Sequence, residues 1–118
     1  MFKFMIIFHQ PQPTQIRDFE KAYTALLAHV EQMPDIIRRQ VSSVAGSPTG
    51  ASPYYRILEV YFQDRPTMEA AMRSSAGQLA GAQLAQFPEG VFEMAFADVY
   101  EESGGLTPTD DAENTTNA

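Results

Sequence analysis

The chain has 118 residues and a formal net charge of −7, which argues against a nucleic-acid partner because such a partner requires a basic face. The absence of cysteine excludes disulfides, zinc–thiolate sites and thiol nucleophiles. A hydrophobic fraction of 44% is typical of one globular domain, and no apolar run approaches the ~20 residues that span a bilayer. The composition therefore predicts a cytoplasmic protein without a membrane segment.

Residues 2–9 predict the first strand, because their apolar and polar side chains alternate as they do on the two faces of a strand. One face is aromatic or aliphatic throughout: Phe2, Phe4, Ile6 and Phe8. The other face has a charged or titratable group at each end: Lys3, Met5, Ile7 and His9. Pro11 and Pro13 end the strand, since proline cannot donate to a sheet ladder.

The first helix is predicted to begin after Thr14 as its N-cap and to end before Pro34. Its apolar residues recur at steps of three and four: Ile16, Phe19, Tyr23, Leu26, Val30 and Met33. Residues 36–45 predict a second strand, whose adjacent arginines and serines suit the edge of a sheet.

Residues 54–62, YYRILEVYF, predict the third strand most clearly, because aromatic and β-branched side chains dominate them. The loop at 46–53 makes strands two and three a hairpin. One face of the third strand is apolar apart from an arginine at its start: Tyr54, Arg56, Leu58, Val60 and Phe62. The other face places a carboxylate among apolar and aromatic neighbours: Tyr55, Ile57, Glu59 and Tyr61.

The second helix is predicted to start at Asp64 or Thr67, and the pair Ser75 and Gln78 has the pattern of a capping box for a further helical segment. Residues 91–100 predict the last strand. Its apolar face is expected to lie under the helices: Phe92, Met94 and Phe96.

The chain divides into a folded domain and a tail. Residues 1–102 carry the alternating and helical patterns, whereas the composition of residues 103–118 cannot bury a core. We therefore expect the second segment to be a disordered acidic tail.

The order strand, helix, strand, strand, helix, strand is the ferredoxin-like split β-α-β arrangement. It predicts an α+β fold in which both helices cover one face of a four-stranded antiparallel sheet. A sheet face that is exposed to water normally carries polar side chains. The face opposite the helices is instead largely apolar or aromatic: Met5, Ile7, Tyr55, Ile57, Tyr61, Ala95, Ala97 and Val99. Such a face predicts a homodimer, a dimeric α/β barrel in which two sheets enclose a cavity.

Glu59 is the strongest candidate for a catalytic residue. Desolvation disfavours the charged form of a carboxyl among apolar neighbours, which suits a general acid or base. The alternative is an ion pair with Lys3 or Arg39, or a hydrogen bond to a tyrosine. His9 is the second catalytic candidate because histidine transfers protons near neutral pH, although a solvated histidine at a strand end is the common alternative.

Further residues of the same face are expected to bind a substrate: Tyr55, Tyr61, Ile57, Met5, Ile7 and Glu93. Tyrosine hydroxyls can orient a ligand, but packing in a core or interface explains these tyrosines equally well. The sequence shows neither metal-ligand spacing nor a glycine-rich phosphate loop. It therefore predicts no metal and no cofactor.

The chain resembles the EthD family of small dimeric α/β-barrel proteins over residues 1 to about 102. The resemblance rests on four segments: KFMIIFHQP, MPDI, VAGSPTGASPYYRILEVYF, and SSAGQLAGAQLAQFPEG before a strand ending in FADV. It implies a homodimer whose barrel cavity binds or transforms a small hydrophobic molecule. The implied role is a cofactor-free oxidoreductase, a cyclase- or isomerase-like enzyme, or an accessory of ether or aromatic degradation.

The chain departs from this family at one position. Members commonly carry a histidine eight residues before the proline of the MP pair, and Leu26 stands there in this sequence. Two alternatives to an enzyme therefore remain open: a non-catalytic module that binds a small molecule, and a haem-binding member of the wider superfamily. His29 is the histidine nearest to that position, and no haem motif accompanies it.

Overall fold

The computed structural model describes residues 1–103. Its strands are β1 (Phe2–His9), β2 (Arg38–Ser43), β3 (Tyr54–Phe62) and β4 (Phe92–Asp98). Its helices are α1 (Ile16–Val30), α2 (Arg65–Arg73) and α3 (Ser75–Leu84), with one 3-10 turn at Pro13–Gln15. The strands form one antiparallel sheet in the order β2-β3-β1-β4, which confirms the predicted α+β ferredoxin-like fold.

Two predictions concern the chain as a whole. Apart from Ser103, the predicted tail lies outside the described residues. Within residues 1–103, no helix is long and apolar enough to cross a membrane.

The inward row of β1 forms the centre of the core. Its four side chains are at most 6% exposed: Phe2, Phe4, Ile6 and Phe8. Phe8 is surrounded by aromatic rings at centroid distances of 5.3 to 6.2 Å: Phe19, Tyr23, Phe87 and Phe92. Helices α1 and α2 add their apolar stripes to the same core: Phe19, Tyr23, Leu26, Val30, Met68 and Ala71. All the helices therefore pack on one side of the sheet.

The helix starts differ from two of the predictions. Thr14 is not the cap of α1, because Pro13 already begins a 3-10 turn there and α1 follows at Ile16. Asp64 caps α2 as predicted, with its carboxylate accepting from the Thr67 amide at 2.9 Å.

The cap of α3 is Ser74 rather than Ser75. The Ser74 hydroxyl accepts from the Gly77 amide at 3.1 Å. Gln78 does not close a capping box, because its side-chain amide donates to the Arg73 carbonyl. Both serines are favourable N-cap residues, and the extended backbone of Ser74 makes it the cap.

The second and fourth strands are shorter than the predicted ranges 36–45 and 91–100. Met94 and Phe96, which were expected under the helices, are 38% and 47% exposed. They point to the helix side, because they pair with the inward residues Ile6 and Phe4. The helices pack over β1 and β3, however, and leave the edge strand β4 partly uncovered.

A β-bulge at the start of β3 changes the direction of Tyr55. Phe8 pairs with Arg56 and His9 pairs with Tyr54, so Tyr55 is an extra residue in the ladder. The Tyr55 hydroxyl donates to Glu20 of α1 at 2.6 Å, on the helix side of the sheet. The predicted position of Tyr55 on the opposite face is therefore wrong, because a bulge breaks the two-residue period of a strand.

An ion pair joins α1 to β3. Arg56 donates to both carboxylate oxygens of Glu20, at 2.7 and 2.9 Å, and its guanidinium lies 4.6 Å from the centre of the Tyr23 ring. The hydrogen bonds from Arg56, with a further one from Tyr55, hold the pKa of the Glu20 carboxyl below its usual value. The pair explains how a charged residue fits on the apolar face of β3.

We expect Glu20→Gln to lower the free energy of unfolding by about 1–2 kcal/mol, because Arg56 is only 15% exposed and loses its counter-charge. Glu20 is itself 40% exposed, so solvent screening keeps the loss at this modest level. The lowered pKa of Glu20 means that its stabilisation is present above the unfolded-state pKa and is lost as the pH falls through the folded-state pKa. Urea denaturation at neutral and acid pH should show the gap between the two proteins closing in acid.

Glu69→Gln is the matched control. Glu69 accepts from Arg65 four residues earlier on α2, and both side chains are exposed, so we expect a loss of only about 0.3–0.5 kcal/mol. An equal loss in the two variants would mean that the Glu20–Arg56 pair contributes no more than a surface pair.

Candidate functional site

The face of the sheet opposite the helices, which we call the open face, carries all the predicted site residues except Tyr55. The register of β1 with β3 and β4 places these seven residues side by side, next to Lys3: Met5, Ile7, His9, Ile57, Glu59, Tyr61 and Glu93. Lys3 lies opposite Tyr61. The bulge brings Tyr54, rather than Tyr55, next to His9, with ring centres 5.4 Å apart.

Glu59 forms an ion pair with Lys3. The Lys3 ammonium lies 2.6 Å from the Glu59 carboxylate, and each side chain is 17% exposed. The hydrogen bond to Glu59 raises the pKa of Lys3 above its usual value. Of the two cations considered from the sequence, Arg39 instead lies 3.6 Å from Glu31. The geometry of Glu59 is thus that of a structural ion pair.

Tyr61 links β2 to β3 and is only 5% exposed. Its hydroxyl donates to the Gln40 side chain at 2.9 Å, and the Arg38 guanidinium lies 4.3 Å from its ring centre. These contacts occupy both the hydroxyl and the ring. They fit the packing interpretation of this tyrosine.

His9 and Glu93, which were separate candidates in the sequence, form a pair in the structure. The His9 Nε2 lies 2.7 Å from the Glu93 carboxylate, across the β1–β4 ladder. The His9 side chain is 30% exposed and that of Glu93 is 62% exposed. A carboxylate that orients an imidazole is an arrangement found beside activated nucleophiles and general bases.

The two predicted catalytic residues do not share one site. Glu59 lies opposite Met5, four residues along β1 from His9. At about 3.3 Å per residue, that spacing separates them by roughly 13 Å along the strand. The open face therefore has two separate polar pairs, Lys3–Glu59 and His9–Glu93.

An apolar groove lies on the other side of the sheet, between α1, α3 and β4. Its volume is about 290 Å³. We call it the helix-side groove, and its lining residues are Phe4, Ile6, Leu26, Val30, Met33, Met72, Gly77, Gln78, Ala80, Gly81, Leu84 and Met94. Its floor is almost fully buried, whereas Gln78, Gly81 and Met94 are exposed at its rim.

Leu26 lies in the floor of the helix-side groove and is 0% exposed. It occupies the position at which the EthD resemblance implies a histidine. Gln78 is the only polar side chain among the described lining residues, and its amide donates to the Arg73 carbonyl at 3.0 Å. The groove can therefore exclude water from an apolar ligand, but its lining supplies no acid or base.

Sequence reasoning placed the cavity on the open face and missed this groove. The signal that could have revealed it is the composition of α3, SAGQLAGAQL, in which small residues leave space above the sheet. A second cavity of about 190 Å³ lies between the start of α1 and the segment after α3. It is smaller, and its rim includes Gln15, Asp18 and Gln86.

We expect Glu59→Gln to lower the free energy of unfolding by about 2 kcal/mol, because it leaves the largely buried Lys3 ammonium without a counter-charge. Replacing both partners with apolar residues, Lys3→Met with Glu59→Leu, removes both buried charges and should be nearly neutral. Chemical denaturation at matched protein concentration measures both effects, since the stability of an oligomer depends on concentration. A neutral Glu59→Gln variant would show that the fold does not need this charge, and would restore Glu59 as a candidate acid.

No family model and no curated protein matches the chain. Among solved structures, it is similar to an EthD family protein from Bacillus halodurans, with 24% identity and a TM-score of 0.76, over 85% of this chain and 99% of that one. It is similar to a candidate antibiotic biosynthesis monooxygenase from Nitrosomonas europaea, with 11% identity and a TM-score of 0.61, over 86% and 100% of the two chains. It is also similar to a dimeric ferredoxin-like protein of unknown function from Thermobifida fusca, with 13% identity and a TM-score of 0.63, over 83% and 90%.

These similarities extend over nearly the whole of each solved chain. The predicted resemblance to the EthD family is confirmed at the level of the fold.

Proposed function

We propose that the protein is a cytoplasmic, EthD-like homodimer that binds a small apolar molecule in the helix-side groove. The observation that carries this proposal is the groove itself, about 290 Å³ in volume, with one polar side chain among its lining residues. Ligand sites are typically concave and mostly apolar, with few polar groups. The fold shared with an EthD family protein supports the same assignment.

The homodimer is supported by the composition of the open face. On β1, β3 and β4, the part of this face next to the two polar pairs consists of apolar side chains: Met5, Ile7, Ile57, Ala95 and Ala97. A sheet face that is exposed to water normally carries polar side chains, and a continuous apolar patch marks an interface. The similar ferredoxin-like protein from Thermobifida fusca is described as dimeric.

Binding without turnover is better supported at this groove than catalysis. Proton transfer requires a titratable side chain within hydrogen-bond reach of the ligand. The family's histidine position is Leu26 here, and Glu59 lies on the other face of the sheet, paired with Lys3. The groove also offers no histidine to a haem iron among its described lining residues.

Cofactor-free oxidoreductase activity is the second candidate, and the His9–Glu93 pair favours it. The 2.7 Å contact orients an imidazole on the open face, where it could move a proton. If this is the active site, its substrate binds at the open face, and His9→Gln should abolish turnover there without changing the affinity of the helix-side groove for an apolar ligand.

We expect light scattering to give a solution mass of twice the 13.1 kDa of the chain. Ile57→Lys should shift the protein to monomers, because it buries an unpaired charge in the middle of the proposed interface. Val41→Lys is the control. Val41 lies on the neighbouring strand, faces the helix side and is 50% exposed, so that variant should stay dimeric. A wild-type mass equal to one chain would contradict the proposed dimer.

We expect naphthalene, an uncharged two-ring hydrocarbon, to bind the groove and to perturb the amide resonances of its lining residues in an NMR titration. Met94→Gln should weaken binding severalfold, because a bound hydrocarbon would cover the new amide and remove its hydration without supplying a partner. Phe96→Gln is the matched control, since Phe96 lies on the same face of β4 but does not line the groove. Equal weakening in both variants, or no binding by the wild type, would contradict the proposed site.

Mass spectrometry of an organic extract of the purified protein is the second measurement. An uncharged apolar compound that co-purifies with the wild type and is depleted from Met94→Gln would identify the natural ligand class.

A further inference from the structure

The two glycines of α3 differ in what surrounds them. A Cβ atom on Gly77 would collide with the carbonyl oxygens of Ala71 and Met72, so the tight junction between α2 and α3 requires glycine there. A Cβ atom on Gly81 would meet no heavy atom within 4 Å beyond its own helix. Neither packing nor backbone conformation therefore explains the glycine at position 81.

Gly81 also works against the helix that contains it. It lies inside α3, three residues before the end at Leu84, and glycine is among the poorest helix-forming residues. The space next to it is the helix-side groove, which Gly81 lines together with Ala80 and Leu84. A larger residue would extend into that space.

The dimensions of the groove limit the size of its ligand. A dry apolar cavity of ~150 Å³ holds one benzene molecule, and this groove has about 290 Å³. The available room is therefore close to that of two fused rings or a branched alkyl group of similar bulk.

The lining limits the chemistry of the ligand. None of the described lining residues carries a charge, and Gln78, the one polar side chain, is exposed at the rim. Three of the remaining residues are methionines, whose flexible side chains adapt to different shapes: Met33, Met72 and Met94. A charged group on the buried part of a ligand would lose its hydration without gaining a partner.

We infer that Gly81 is a specificity-determining residue that keeps the helix-side groove wide enough for an uncharged apolar molecule of about two-ring size. This inference rests on the proposed binding function and specifies its ligand class. Any polar group of the ligand lies at the rim, next to Gln78. The groove selects its ligand by shape and by excluding charged groups.

The test compares Gly81→Leu with Ala82→Leu, which adds the same side chain at the next, exposed position of α3, outside the groove lining. Calorimetric titration with naphthalene should show the Kd rising at least roughly tenfold in Gly81→Leu and staying within about twofold in Ala82→Leu. Naphthalene-2-carboxylate should bind the wild type at least roughly tenfold more weakly than naphthalene.

The melting temperature of Gly81→Ala without ligand measures the effect of residue 81 on folding separately from its effect on binding. The substitution should raise the melting temperature of the ligand-free protein by a few degrees, because alanine is the better helix former and meets open space there. Unchanged naphthalene affinity in Gly81→Leu, or equal affinity for the carboxylate, would overturn this inference and leave the proposed function standing. No naphthalene binding by the wild type would overturn both.

Discussion

Burial of the inward row of β1 is the constraint on which the rest of the structure depends. Phe8 is fully buried, and its neighbours come from α1, β4 and the segment after α3. Truncating an aromatic residue in such a position typically costs about 3–5 kcal/mol, a large part of the stability of a small domain. Because β1 is central in the sheet, its row fixes the side on which the helices pack. The open face and the helix-side groove both follow from that choice.

The same constraint explains why a groove exists at all. The large side chains of α1 and α2 fill the space over β1 and β3, but most of the α3 residues that line the groove are alanine or glycine. Met94 on the edge strand β4 is consequently 38% exposed. Part of the helix side of the sheet beside β4 therefore stays uncovered. The uncovered part is where a ligand can complete the core.

The parts of the fold that depend on local periodicity could be predicted from the sequence, and those that depend on tertiary contacts could not. Alternation along 2–9 and 54–62 gave strands with the bounds observed. The direction of the Tyr55 side chain could not be predicted in this way, because either of two adjacent tyrosines can lie on a given face. A bulge places Tyr55 on the helix side, where its hydroxyl donates to Glu20. The ion pair of Glu59 with Lys3 was one of the alternatives that the sequence left open. The groove could not be predicted, because it depends on the tertiary placement of α3 relative to β4.

The distribution of charge across the sheet bears directly on function. The ion pairs Lys3–Glu59 and Glu20–Arg56 lie on opposite faces, and in each the charges are matched within hydrogen-bond distance. Paired charges of this kind do little for net stability compared with apolar residues, but an unmatched partner is costly, so they favour one register over another. The helix-side groove, by contrast, has no charge among its described lining residues. Under the proposed function, the open face aligns the two subunits and the helix-side groove holds the apolar molecule. Because the described lining of the groove has no titratable side chain, any selectivity it shows comes from its shape and from the exclusion of charged groups.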